Sequence, residues 1–170
     1  MKRSIIALIL AVLMVPAFGT AAEEQAVSLG DMEPFETCGI REDAVLLDGQ
    51  DRYGGSYTSC FGPNDDIGYV EYLLNGEYDR LETVLYVTGA DLNPYYDYYW
   101  AYATCRIYGD DQLLFSKTGF QHKDEPLPLT MDVHGVRFLR IEFELAAYYN
   151  TGAGRPLILL GDSTLIRTTA

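Results

Sequence analysis

The sequence has 170 residues and a formal net charge of −13, from 12 Lys and Arg against 25 Asp and Glu. Hydrophobic residues make up 48 % and charged residues 22 %, the balance of a folded single domain and too apolar for a disordered chain. The acidic surplus argues against nucleic acid or anionic lipid headgroups as partners, because both demand a Lys/Arg-rich face.

Residues 1–22 read as a signal peptide. Lys2 and Arg3 form a short positive stretch, Ile5 to Val15 is an unbroken apolar run, and Pro16, Ala17 and Gly19 lead into the small residues Thr20-Ala21-Ala22. The apolar run is too short for the roughly 20 residues a membrane helix needs. The expected mature protein begins near Glu23, is secreted or extracytoplasmic, and has no membrane span after cleavage. No cysteine lies near the cleavage zone to carry a lipid. Leu127-Pro-Leu-Thr130 imitates a sortase signal, but Met131 stands where Gly is required.

Residues 23–40 carry Glu23, Glu24, Asp31, Glu33, Pro34 and Glu36 among few large apolar groups, and the expectation is a loosely ordered leader. From residue 41 to 168, short apolar runs alternate with turn signals. Ala44 to Leu47 ends at Asp48-Gly49, Arg52 to Phe61 ends in Gly62-Pro-Asn-Asp-Asp66, and Tyr69 to Leu74 meets Asn75-Gly76, a hairpin dipeptide. Tyr78 to Thr88 places Leu81, Thr83, Leu85 and Val87 on one face. After a long loop, Trp100 to Tyr108 puts Ala101, Ala103, Cys105 and Ile107 on one side, and Gly109-Asp110 turns the chain into Gln112 to Ser116. Leu127 to Val133 reverses at His134-Gly135 into Arg137 to Leu145, where Leu139, Ile141, Phe143 and Leu145 alternate with Arg140, Glu142 and Glu144. A second long loop, Ala146 to Arg155, precedes two short strands, Pro156 to Leu160 and Ser163 to Arg167. About nine short strands without βαβ spacing predict an all-β, antiparallel two-sheet sandwich. Its core should hold Leu81, Leu85, Cys105, Ile107, Leu139, Ile141 and Phe143.

Three cysteines leave at least one thiol outside any intramolecular bridge. Cys105 sits on an inward strand face, so Cys38 and Cys60 are the expected disulfide, although connectivity is not fixed by sequence. No cysteine or histidine spacing supports a metal site, and no cofactor is expected. Asp65 and Asp66 could offer oxygens to a structural calcium, but no calcium-loop spacing surrounds them. His122 and His134 lie in turns without a partner motif, and no nucleophile motif accompanies them, so no catalytic residue is assigned.

The candidate ligand surface is aromatic. Fourteen tyrosines outnumber seven phenylalanines, and Asn93-Pro-Tyr-Tyr-Asp-Tyr-Tyr-Trp-Ala-Tyr102 holds five of them with the only tryptophan. Tyr148-Tyr149-Asn150 lies in the second long loop. Such rings serve either as cross-strand pairs on the sandwich or as platforms for the apolar face of a sugar. On the second reading Tyr95, Tyr96, Tyr148 and Tyr149 stack on a glycan, while Asp97, Asn150 and Arg155 take its hydroxyls.

Several strings resemble the NPCBM domains, the novel putative carbohydrate-binding modules. Tyr72-Leu-Leu-Asn-Gly-Glu-Tyr-Asp-Arg-Leu81 is similar to their "y-L-n-G-k-Y-x-x-L" opening. Arg106-Ile-Tyr-Gly-Asp-Asp-Gln-Leu-Leu-Phe-Ser116 resembles their Gly-Asp hairpin. Met131-Asp-Val-His-Gly-Val-Arg-Phe-Leu-Arg-Ile-Glu-Phe143 and Leu160-Gly-Asp-Ser-Thr-Leu165 resemble their closing strands. The resemblance covers residues 55–166 in order and implies a galactose-binding-like jelly roll, a fold usually appended to extracellular glycosidases or surface proteins. Two features of sugar-binding members are missing. Asp65-Asp-Ile-Gly-Tyr69 lacks their His, and Gly161-Asp-Ser163 lacks their Trp. Two functions follow as expectations: a module binding a glycan ligand, or a structural sandwich binding an extracellular protein.

Overall fold

The computed structural model describes residues 23–40, 47–51, 53–60, 62–63, 67–87, 102–121, 123–146 and 158–169. Extended chain with one apolar side forms strand after strand, because alternate side chains face opposite ways and only one face needs covering. The strands are β1 (Glu23–Ser28), β2 (Glu36–Cys38), β3 (Leu47–Gln50), β4 (Ser56–Cys60), β5 (Ile67–Leu73), β6 (Arg80–Val87), β7 (Tyr102–Gly109), β8 (Gln112–Phe120), β9 (Leu127–Asp132), β10 (Phe138–Ala146) and β11 (Ile158–Thr169). They form a four-stranded sheet, β1-β11-β6-β9, a five-stranded sheet, β2-β5-β10-β7-β8, and a separate β3-β4 hairpin. Every pairing is antiparallel, and the expected two-sheet sandwich is the architecture found.

The core lies between the two large sheets. Leu81, Leu85, Cys105, Ile107, Leu139, Ile141 and Phe143 are all buried there. Ile141 pairs with Ile107 and Phe143 with Cys105 across neighbouring strands. Burial of each large apolar side chain is worth about 1.5–3 kcal/mol. One polar pair shares this interior. Thr83 Oγ1 donates to the Gly161 carbonyl at 3.1 Å and lies 2.7 Å from Ser163 Oγ.

Residues 23–40 are not a loose leader. β1 pairs along its whole length with β11, and β2 adds an edge to β5. Between them a 3-10 turn, Leu29–Asp31, sinks Leu29 completely into the core. Acidic side chains are compatible with these strands because both lie at sheet edges, where outward groups stay in water.

The two Gly turns are sheet crossings and not hairpins. Asn75 and Gly76, with φ of 54° and 73°, carry the chain from β5 in one sheet to β6 in the other. His134-Gly135 does the same between β9 and β10. The Gly109-Asp110 turn, by contrast, joins paired β7 and β8, and the Asp110 carboxylate accepts the backbone N–H groups of Arg137 and Phe138.

Asp48-Gly49, expected as a turn, lies inside β3. Gly49 is needed there for close approach, since a Cβ would meet the Tyr86 hydroxyl. The β3-β4 hairpin covers the outer face of the four-stranded sheet, where Cys60, Tyr57, Tyr86 and Leu159 cluster. The Tyr57 and Tyr86 rings meet at 4.3 Å between centroids. Gly161-Asp162, expected to separate two strands, is a bulge within β11. Asp162 there accepts from Thr58 N and Oγ1 at 2.7 and 2.9 Å.

Cys38 and Cys60 are not bridged. Cys38 is exposed on β2, whereas Cys60, at the end of β4, is buried between the hairpin and the four-stranded sheet and its sulfur accepts from the Tyr86 hydroxyl at 3.0 Å. His134 is exposed with Nδ1 3.1 Å from Asp79 Oδ1. His122, Asp65, Asp66 and the signal peptide lie outside the described residues. Among the described residues, no helix is long and apolar enough to cross a membrane, and no three His, Cys, Asp or Glu side chains converge on a metal position.

Candidate functional site

One end of the sandwich collects the long connections. β6 ends at Val87 paired with Ile158, the first residue of β11. β7 begins at Tyr102 paired with Ala146, the last residue of β10. Residues 88–101 and 147–157 therefore leave from, and return to, strand ends that are hydrogen-bonded partners. The β8–β9 connection emerges at this end too, because Ala103 pairs with Phe120 and Leu85 with Leu127. Tyr53, in the β3–β4 turn and more than half exposed, reaches it and donates its hydroxyl to the Lys123 carbonyl at 2.5 Å. The seven expected glycan contacts, Tyr95, Tyr96, Asp97, Tyr148, Tyr149, Asn150 and Arg155, all lie outside the described residues.

A turn anchors the hairpin near that end. Asp51 Oδ1 accepts the N–H groups of Tyr53 and Gly55 at 2.6 and 3.0 Å, and Oδ2 accepts the Tyr57 hydroxyl at 2.7 Å. Burial pushes the Asp51 carboxyl up, but these hydrogen bonds outweigh it and hold it below its ordinary range. Burial, with Asp51 beside it, raises the Tyr57 hydroxyl to about 12.

A second concave surface lies on the outward face of the five-stranded sheet. A hollow of about 440 Å³ is lined by residues including Tyr69, Arg106, Arg140, Glu142 and Glu144. A neighbouring one of about 230 Å³ is lined by Glu71, Asp110, Asp111, Phe138 and again Arg140. Register explains the grouping, since Arg140 lies opposite Glu71 on β5 and Tyr108 on β7, and Glu142 lies opposite Tyr69 and Arg106. Arg140 stacks its guanidinium 3.8 Å from the Tyr69 ring centroid and donates Nε to Glu142 at 2.8 Å. Burial opposes its charge, but Glu142, Tyr69 and Glu71 outweigh that and keep it protonated more firmly than usual. Arg106 gives two N–H groups to Glu144 Oε2, each at 3.2 Å. Sequence reasoning missed this surface, because in one dimension these residues are only the polar half of an alternating strand.

No protein-family profile matches the sequence, and no curated relative matches it. Solved structures do. CBM51 from Clostridium perfringens GH95, in complex with methyl-galactose, superposes with a TM-score of 0.60 at 18 % identity, covering 83 % of this chain and 99 % of that one. The chain has the fold of a CBM51 carbohydrate-binding module. The tandem CBM51 modules of Sp3GH98, the family 98 glycoside hydrolase from Streptococcus pneumoniae, give a TM-score of 0.63 at 13 % identity over 87 % of this chain and 49 % of that one. The CBM51-2 and INT domains of Clostridium perfringens ZmpB give 0.61 at 12 % identity over 85 % of this chain. This chain spans about a third of that ZmpB chain, at 32 % of its length. The CBM51 likeness confirms the galactose-binding-like jelly roll that the sequence resemblance implied.

Proposed function

We propose that this chain is a secreted, non-catalytic module that binds carbohydrate through aromatic side chains at the end of the sandwich where the long connections gather. One observation carries the reading: a CBM51 fold in which residues 88–101 and 147–157, rich in tyrosine, spring from strand ends that are paired with one another. Tyr95, Tyr96, Tyr148 and Tyr149 stack on sugar rings, and Asp97, Asn150 and Arg155 bond hydroxyls. A hydrogen bond exchanged with water yields only about 0.5–1.5 kcal/mol net, so ring stacking and shape carry much of the affinity. A single shallow site of this kind binds in the millimolar to micromolar range, roughly 4–8 kcal/mol. Structures of this fold have been solved with methyl-galactose and with GlcNAc, which makes these the first sugars to titrate.

A glycan array and titration with both sugars test it. The expected result is weak, saturable binding that falls about tenfold or more in Tyr95→Ala and Tyr96→Ala. No signal for the wild type, or an equal signal in the variants, overturns the site and leaves a sandwich for protein contacts. Mass spectrometry of the exported protein should find an N-terminus near Glu23, and an intact Met1 would refute export by cleavage.

A further inference from the structure

We propose a second carbohydrate surface on the outward face of the five-stranded sheet, taking an uncharged, extended glycan laid along β10. This rests on the carbohydrate-binding reading above but on none of its residues. The two hollows share Arg140 and lie next to each other along β10, from Ile67 and Glu144 to Phe138 and Asp110. From Phe138 to Glu144 a strand advances roughly 20 Å, room for several consecutive sugar rings.

Side chains alone do the recognising there. The backbone of β10 is spent on ladders to β5 and β7 on both sides, so a peptide could not add itself as a strand on this face. The two guanidiniums are already fixed, Arg140 by Tyr69 and Glu142, and Arg106 by Glu144. Each guanidinium has five N–H donors in a rigid fork, so those beyond the Glu contacts stay aimed with little further loss of freedom on binding. The neighbouring carboxylates offer acceptors beside them. Donor and acceptor at close alternating spacing suit a hydroxyl, which is both.

Charge selects the class of glycan. Among the described residues the hollows are lined by Glu71, Glu142, Glu144, Asp110 and Asp111 against Arg106 and Arg140, with the Arg137 guanidinium over Phe138 at one end, an acidic surplus that disfavours uronate or sulfated chains and leaves neutral ones. Apolar surface completes them at both ends. Phe35, 60 % exposed, tilts against Phe138 at 5.4 Å between centroids, and Ile67 is 69 % exposed at the other end.

The test titrates the protein with cellohexaose, mannohexaose, xylohexaose and chitohexaose, with a galacturonate oligomer as the charged control and methyl-galactose as the single sugar. Calorimetry and backbone-amide NMR are the readouts. At least one neutral hexaose should perturb amides of β5, β7 and β10, and weaken about tenfold in Arg140→Gln. That variant should leave methyl-galactose binding unchanged, and Tyr95→Ala should leave the hexaose contacts on the sheet unchanged. Glu142→Gln, which keeps size and shape but weakens the hold on Arg140, serves if Arg140→Gln does not fold. Hexaose binding sensitive to Tyr95 but not to Arg140 overturns the sheet surface while the loop site stands. Methyl-galactose binding without any hexaose binding does the same. A hexaose effect at Arg140 with no effect of Tyr95→Ala on any sugar overturns the loop site instead. A galacturonate oligomer that binds as tightly as the neutral ones, or self-association abolished by Arg140→Gln, also overturns the proposal.

Discussion

Gly76 and Gly135 face each other where the chain crosses between sheets: a Cβ on Gly76 would lie 3.5 Å from the Gly135 Cα. That spacing is ordinary contact. Backbone conformation is the constraint, because φ is 73° at the first and 75° at the second. Gly76→Ala and Gly135→Ala should therefore each destabilise the fold by about 1–2 kcal/mol, although nothing crowds Gly135. Urea denaturation measures this. A neutral effect at Gly135 would mean that space, not φ, governs the corner.

Asp51 makes stability depend on acid. Its folded pKa is depressed below the ordinary value of about 3.9, so its contribution is whole above that pH and fades as pH falls through the lower folded value. Asp51→Asn should flatten the acid limb of stability against pH. At neutral pH the same change should lose about 2 kcal/mol, since with the Asn carbonyl oxygen kept on the Tyr53 and Gly55 N–H groups, the NH2 that replaces Oδ2 cannot accept from the Tyr57 hydroxyl. An acid limb identical in the two proteins would show that the turn is not what titrates.

The buried hydroxyl pair should couple. Thr83 spends its proton on the Gly161 carbonyl, so Ser163 donates to Thr83. Thr83→Val strands both partners and should lose about 1–3 kcal/mol, while Ser163→Ala loses less. Adding Ser163→Ala to Thr83→Val should then be less than additive. Strict additivity in denaturation would mean the hydroxyls do not depend on each other.

Thiol labelling should find a single reactive cysteine in the native protein. Cys38 is exposed, whereas burial protects Cys60 and pushes the Cys105 thiol strongly up. Iodoacetamide should modify Cys38 alone until the protein is unfolded, when all three react. A Cys38–Cys60 disulfide in non-reducing peptide mapping would contradict the structure.

Strands with one dry face were legible in the sequence. Leu139, Ile141 and Phe143 alternate with charged residues because one sheet face meets the core and the other meets water. β1 and β2 were not legible, because edge strands are wet on most sides and only Leu29 marks them as part of the fold. The Asn75-Gly76 dipeptide reveals positive φ but not which sheets it joins, since that depends on where β6 and β9 find partners. The outward surface around Arg140 was invisible for the same reason. Its residues come together only through register, and Tyr69 is far from Arg140 along the chain. Tyrosine clustering was plain to see, but the paired stems of residues 88–101 and 147–157 needed the sheets themselves.

Glu23 stands opposite Thr169 in the β1–β11 ladder, beside the corner that holds Asp79 and Arg80. Both strand ends thus point away from the end where the long connections gather. A biotin, a bead or a neighbouring domain attached through either one would hold the molecule upright, with that opposite end facing outward. Residues 169 and 23 are ladder partners, so a short linker would join them with little distortion of either strand.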